Sequence, residues 1–223
     1  MKRTLVIGIL VFCLVPTLGA VPGPTSRQVA ESGILGQQIE LHLRQDTLMY
    51  ALSALSVRHR VPIGIEYSQA DKNEPKLNLE TERATLKEVL DSIVKQEPLY
   101  RWEVVDGVIN FVPTRDRDRF IETFLSTPVA HFDPGKWTII FEVRDAIGDI
   151  PEVKRLLESN QKTIAKYSDY AYSPSIYTKK DVDLSISETN VRGVLNRIAR
   201  DSEHKGWSIG WRPGDKNVLS IRF

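Results

Sequence analysis

The sequence predicts an α+β protein made of two small β-α-β-β-α-β-β units in tandem, with helices packed on short mixed sheets. Three patterns support this fold class. Short runs that alternate apolar and polar residues, such as Ile39–Leu43, predict strands. Apolar stripes at helical spacing, such as the one within residues 86–93, predict helices between those strands. The same order of patterns then returns in the second half of the chain.

The first unit is predicted over residues 37–113. After the strand at Ile39–Leu43, Thr47 can cap a helix whose apolar stripe runs from Leu48 to Leu55. Alternating residues then predict strands at 63–67 and at 77–79. These elements supply the first half of a small core.

The rest of the first unit has clear local signals. Thr85 and Glu88 form a capping box, in which each side chain can bond a free backbone N–H at the start of a helix. Asp106-Gly107 between two apolar runs predicts a tight hairpin, because a type I′ turn needs positive φ at both central residues. The unit therefore closes with a pair of antiparallel strands.

Residues 114–134 are predicted as a linker that contains a short helical turn at Phe120–Leu125, and residues 135–223 as a second α+β domain. Within that domain a strand is expected at Trp137–Val143, and a helix start at Asp149–Glu152 with Pro151 early in the helix. Residues 182–186 alternate as a strand, and Asn190 can cap the last helix. A turn at Pro213-Gly214 then separates two final strands.

The two halves overlay at a constant shift of 105 residues. Leu79 falls on Leu184 and Trp102 on Trp207, and the apolar residues of the two helices coincide as well. Two explanations stay open. The second half is a degenerate copy of the first, or two similar folds share apolar spacing without a common origin.

The first twenty residues have the layout of a secretory signal peptide. Lys2 and Arg3 precede the apolar run Leu5–Val15, and Leu18–Ala20 offers small residues for cleavage, expected after Ala20. The alternative is an uncleaved anchor, but the apolar run is well short of the roughly 20 residues of a spanning helix. Residues 21–36 are predicted as a disordered leader, and the mature protein is expected in the periplasm or secreted.

Composition excludes several classes of function. Thirty basic residues balance 29 acidic ones, which lacks the basic footprint of a nucleic-acid-binding protein, so no nucleic-acid partner is expected. The one cysteine, Cys13, lies in the predicted signal peptide, so the mature protein is expected to have neither disulfides nor thiol chemistry. No later segment is long and apolar enough for a transmembrane span.

The first unit resembles the short N-terminal domain shared by secretins and TonB-dependent receptors. The resemblance covers about residues 39–113. It rests on Leu77–Leu79, Ala84–Ile93, Leu99–Trp102 and Asp106–Ile109, with the earlier helix from Thr47.

That resemblance implies a periplasmic docking domain with no active site that binds an envelope protein partner, such as a secretin, a receptor or a signalling component. In that family the domain precedes an outer-membrane barrel or a secretin body, and the pattern of residues 114–223 predicts neither. We therefore expect an adaptor or a subunit of an envelope complex. The alternative is a periplasmic enzyme or a cell-wall-binding protein with a groove between the two units.

The motif search predicts no catalytic residue, no metal site and no cofactor. The four histidines do not form a metal-spaced pair, and no phosphate-binding loop or nucleophile elbow is present. The candidate partner-binding residues are four tyrosines within eleven positions, a residue type enriched at interfaces: Tyr167, Tyr170, Tyr172 and Tyr177. The alternative for this cluster is a strand whose rings pack on a neighbouring helix.

Overall fold

The computed structural model describes residues 33–67, 76–134, 136–137, 140–166, 182–201 and 205–223. Its described strands are β1 (Gln38–Asp46), β2 (Ile63–Glu66), β3 (Leu77–Thr85), β4 (Tyr100–Val105), β5 (Val108–Pro113), β6 (Pro128–Phe132), β7 (Lys136–Trp137), β8 (Thr163–Ile164), β9 (Val182–Asp183), β10 (Ile186–Asn190), β11 (Gly206–Arg212) and β12 (Asp215–Arg222). Its described helices are α1 (Leu48–His59), α2 (Leu86–Gln96), α3 (Arg119–Ser126), α4 (Ile140–Asp149), α5 (Pro151–Ser159) and α6 (Val191–Asp201). The α+β fold class is confirmed.

The first unit consists of two small sheets and two helices. Strands β1 and β3 pair antiparallel, β4 and β5 form an antiparallel hairpin, and β2 runs parallel to β5. Apolar residues of all these strands and of α1 and α2 form one buried cluster. Ile34 and Leu35, from the predicted leader, pack against the same cluster, so the unit begins slightly before residue 37.

The predicted helix caps of the first unit are confirmed. The Thr47 hydroxyl accepts a hydrogen bond from the N–H of Tyr50 at the start of α1. At the start of α2, the Thr85 hydroxyl accepts from the N–H of Glu88, and the Glu88 carboxylate accepts from the N–H of Thr85 at 2.8 Å. The hydrogen bonds with the Thr85 backbone and side chain lower the pKa of Glu88, because they favour its charged form.

The second unit repeats the strand connectivity of the first. Strands β6 and β10 pair antiparallel, β11 and β12 form a hairpin, and β8 runs parallel to β12. These five strands therefore take the places of β1, β3, β4, β5 and β2. Asn190 caps α6 as predicted, since its side-chain oxygen accepts from the N–H of Gly193 at 2.9 Å.

Two expectations for this region are corrected. The strand predicted over Trp137–Val143 is wrong from Ile140 onward, because α4 begins there. Val143 and Ile147 are buried four residues apart, so the helix places both on one core-facing side, which outweighs the strand preference of β-branched residues. The helix start at Pro151 is confirmed, but its N-cap is Ile150 and no side chain caps it.

One sheet connects the two units. Its six strands follow the order β4-β5-β2-β11-β12-β8, and β11 runs parallel to β2 at the centre. Residues 114–134, predicted as a linker, contain α3 and β6, and β6 pairs with β10 of the second unit. The chain therefore crosses between the units through ordered elements.

Candidate functional site

The six-stranded sheet ends at β4, and we call the outer side of residues 101–105 the β4 edge. No other described strand pairs with β4 on that side. Arg101 is exposed, and Trp102, Glu103 and Val104 are half-buried. An exposed edge presents unpaired backbone N–H and C=O groups that can pair with another chain.

The hairpin that holds β4 decides which of its backbone groups point outward. Asp106 and Gly107 have φ of 54° and 76°, as the predicted type I′ turn requires. In such a turn the closing pair, Val105 and Val108, exchanges both backbone hydrogen bonds, and pairs along an antiparallel ladder then alternate. The N–H and C=O groups of residues 102 and 104 therefore point away from β5.

Strand β11 occupies the position of β4 in the second unit, and its outer side is already paired. There β2 runs beside it in parallel, and Trp207 lies opposite Gly64. The carbonyl of Ile209 accepts a hydrogen bond from the N–H of Tyr67 at 2.9 Å. At the shift of 105 residues, Ile209 corresponds to Val104. The edge that carries no described strand in the first unit is thus paired with β2 in the second.

A tryptophan hydrogen bond is repeated in the two units. The Trp102 indole N–H donates to a carboxylate oxygen of Asp91 at 3.0 Å. The Trp207 indole N–H donates to the side-chain oxygen of Asn196 at 2.8 Å. Both pairs are separated by eleven residues and are related by the same shift of 105. The overlay of Trp102 on Trp207 was visible in the sequence, and the Asp91–Asn196 match completes it.

Gly64 allows Trp207 to lie across β2. A Cβ atom on Gly64 would be 2.2 Å from Cε2 of the Trp207 indole, which is too close for any side chain. Trp207 is only 3% exposed in this position. The parallel pairing of β2 with β11 therefore depends on glycine at the position opposite the tryptophan.

A buried carboxylate holds the units together beside this junction. Glu66, at the end of β2, is 1% exposed. Its two oxygens accept hydrogen bonds from Arg117 at 3.0 and 3.1 Å, and one also pairs with Arg192 of α6. Burial lowers the pKa of Arg117, but the hydrogen bond and charge of Glu66 and the charge of Glu122 outweigh that effect and raise it. This cluster joins the first unit, the connecting segment and the second unit.

A groove of about 360 Å³ lies where α1 meets β2 and β11. It lies between the two units, where the enzyme or wall-binding alternative expects a groove. Its floor is mostly apolar and includes Leu52, Ile63 and Trp207, and its polar lining includes Arg60 and Arg222. Among the described residues that line the groove, none contributes an Asp, Glu or His side chain.

Other candidate chemistry in the described residues is sparse. Ser187 and His131 face each other across β10 and β6, with 3.0 Å between the hydroxyl oxygen and Nδ1. Both side chains are exposed, so this pair lacks the water-excluded setting in which such groups are activated. Within the described ranges, no cluster of three or more His, Cys, Asp or Glu could hold a metal ion.

The candidate tyrosines Tyr167, Tyr170, Tyr172 and Tyr177 lie outside the described residues, as do residues 1–32 with the predicted signal peptide. None of the described helices is both long and apolar enough to cross a bilayer. Sequence reasoning did not single out the β4 edge. The signal that could have found it is the match of Asp91 with Asn196 beside the two tryptophans.

Comparison with known proteins gave no relative. No family model matches the chain, and neither the curated proteins nor the solved structures contain a match. The candidate site therefore rests on the geometry of the chain itself.

Proposed function

We propose that this chain is an exported, non-catalytic protein-interaction module that docks an envelope protein by adding a strand at the β4 edge. One observation carries the proposal. Strand β11, which corresponds to β4, holds a parallel strand along the same side of the sheet. The chain therefore already pairs a strand with the equivalent edge of its second unit.

The physics of strand addition fits the β4 edge. Backbone hydrogen bonds supply affinity that depends little on sequence, and alternate side chains supply specificity. The outward groups of Trp102 and Val104 offer a donor and an acceptor at every second residue. Exposed edge strands normally carry charged residues or other features that prevent aggregation through edge-to-edge pairing. Here Arg101 and Glu103 form an ion pair on one face, which keeps charge on the edge without blocking its backbone.

The export part of the proposal rests on the sequence of residues 1–20. The positive start, the apolar run and the small residues before position 21 are typical of a cleaved signal peptide. The envelope partner rests on the resemblance of the first unit to the short domain of secretins and TonB-dependent receptors. Both belong to the same hypothesis, because that domain type acts in the periplasm.

Site-specific photo-crosslinking in the native envelope tests this function. A benzoylphenylalanine at Arg101 places the reactive group on the β4 edge, and one at the exposed Glu158 of α5 serves as the matched control. We expect residue 101 to capture a defined envelope protein that residue 158 does not. Mass spectrometry identifies that protein.

Val104→Pro shows whether capture depends on the edge. Proline removes an N–H that points outward and leaves the ladder to β5 intact. Val104→Thr keeps that N–H and serves as the control. We expect capture from residue 101 to persist with threonine and to disappear with proline, in variants with unchanged circular dichroism. Capture that survives Val104→Pro, or no protein at residue 101 at all, contradicts strand addition.

A further inference from the structure

We infer that the β4 edge accepts a strand that runs parallel to β4 and carries glycine opposite Trp102. The inference rests on the proposed docking function and states which segment of the partner enters. Its template is the pairing of β2 with β11 inside the chain.

The direction of the added strand follows from the pairing inside the chain. Strand β2 runs parallel to β11, and the carbonyl of Ile209 accepts from the N–H that follows β2. Residue 104 of the β4 edge presents its carbonyl in the same outward direction. The outward N–H and C=O groups of such an edge can pair with a parallel or an antiparallel strand, so the internal pairing of β2 with β11 is what assigns the parallel direction.

The glycine requirement follows from the shared geometry of the two tryptophans. Trp102 and Trp207 each donate the indole N–H to a side-chain oxygen eleven residues earlier, at 3.0 and 2.8 Å. This shared anchor places the two indoles alike with respect to their own strand and helix. Trp207 covers the backbone of the neighbouring strand so closely that only a residue without Cβ fits there. A strand beside β4 in the same register meets Trp102 at that position.

On the face of the sheet opposite the tryptophans, Gly206 and Ser208 flank Trp207 in β11, and the corresponding residues of β4 are Arg101 and Glu103. Gly206 lies against α1, since a Cβ there would be 3.2 Å from the Ser56 hydroxyl oxygen. Charged residues in β4 instead favour polar flanking residues in the partner. The β4 edge therefore requires a partner glycine opposite Trp102, as β11 does opposite Trp207. It differs from β11 in favouring polar partner residues on either side of that glycine.

Labelled peptides test the glycine requirement. The first peptide follows residues 61–67 with threonine in place of both isoleucines, Val-Pro-Thr-Gly-Thr-Glu-Tyr, and the second carries alanine in place of its glycine. Fluorescence anisotropy with the full chain is expected to show about tenfold weaker binding of the alanine peptide, as overpacking at a tight contact implies. Val104→Pro should abolish binding of the glycine peptide, and Val104→Thr should preserve it.

A compensating variant separates this inference from general destabilisation. Trp102→Ala removes the indole that excludes Cβ, so the preference for glycine should fall to about threefold or less, in line with a relieved clash. A nitroxide on the peptide N-terminus should broaden the amide signal of Tyr100, and one on the C-terminus that of Val105, if the strands are parallel. The reverse pattern overturns the parallel direction.

The outcomes distinguish this inference from the proposed function. If residue 101 captures a partner that Val104→Pro releases, yet glycine and alanine peptides bind alike, the function stands and the glycine requirement fails. Equally, if the glycine peptide does not bind, the internal template is the wrong guide to the partner. If the glycine peptide binds selectively but no envelope protein is captured, the geometry is supported and the proposed function fails.

Discussion

The two units share a strand order and a tryptophan anchor, but one anchor lies near solvent and the other lies in the interior. Asp91, which accepts from Trp102, has a side chain that is 47% exposed, whereas Asn196, which accepts from Trp207, is fully buried. A carboxylate near water costs little, and an unpaired buried carboxylate costs a great deal. The residue at these equivalent positions therefore differs with exposure. A carboxylate stands where the anchor is near water, and a neutral amide stands where it is buried.

Asparagine also meets a demand that aspartate cannot. Its side-chain oxygen accepts from Trp207, and its nitrogen donates to the carbonyl of Val105 in the first unit at 3.3 Å. An ionised aspartate only accepts hydrogen bonds, so it could not serve both partners. Asn196 therefore forms part of the junction between the units. Asp91 lies in α2 beside the β4 edge, which has no neighbour among the described strands.

The largest expected effect comes from breaking the junction at its buried charge. Glu66→Gln removes the buried counter-charge that Arg117 and Arg192 share, and removing one partner of such a group costs about 3–5 kcal/mol. Glu122→Gln removes a half-exposed partner of the same Arg117 and should cost less than about 1 kcal/mol. Urea unfolding followed by circular dichroism measures both. Equal losses would show that the buried cluster does not hold the units together.

The next effect tests the contact of the tryptophan with its neighbouring strand. Gly64→Ala places a methyl group against the Trp207 indole and should destabilise the fold by about 1–3 kcal/mol. The control is Gly148→Ala in α4, where a Cβ meets Ile164 at an ordinary 3.5 Å and alanine improves helix propensity. We expect a melting temperature that falls for the first variant and is unchanged or higher for the second. A neutral Gly64→Ala would remove the basis for the glycine requirement at β4.

Exchanging the two anchors tests whether burial selects the residue. Asn196→Asp should cost about 2–3 kcal/mol at neutral pH, because it buries a charge and removes the donor to Val105. Burial raises the folded-state pKa of such an aspartate above its unfolded value. The penalty is therefore full above the folded-state pKa and declines as pH falls through it. Urea unfolding at pH 7 and pH 4 measures this change.

The reciprocal variant is the control. Asp91→Asn should change stability by less than about 1 kcal/mol at either pH, because the pair is exposed and amide oxygen still accepts from Trp102. If both exchanges have the same effect, exposure does not explain the difference between the units.

The smallest effect compares the two helix caps. The lowered pKa of Glu88 means that its contribution to stability is present above the unfolded pKa of about 4.3 and is lost as pH falls through the lower folded-state value. The corresponding cap of α6 uses the neutral Asn190 and should not titrate. In Glu88→Gln, the free energy of unfolding is expected to fall slightly less than in the wild type as the pH is lowered. An NMR titration that finds an ordinary pKa for Glu88 would contradict this.

Local signals predicted much of the fold. Thr47, Thr85 and Asn190 cap the helices expected from them, and Asp106-Gly107 forms the expected turn. Such features depend on a few neighbouring residues, so the sequence carries them directly. The start of α4 was missed because β-branched residues around Ile140 favour a strand locally, whereas their burial on one side of a helix depends on the whole core.

The pairing of β2 with β11 could not be predicted in the same way. It joins residues about 140 positions apart, and backbone hydrogen bonds at a sheet edge carry almost no sequence signature. The residues around Gly64 in the sequence do not explain why glycine stands there, because the group that excludes a Cβ is the distant Trp207. The candidate site follows from that pairing, so it became visible only in three dimensions.

The internal pairing also bears on the number of partners that the proposed docking would allow. A chain with two equivalent docking edges would be bivalent and could link two partners or gain avidity. Here β2 is paired along the edge of β11, the strand that corresponds to β4, so that edge is occupied within the chain. Under the proposed docking, β2 and β11 provide an intramolecular example of the pairing expected between a partner and β4.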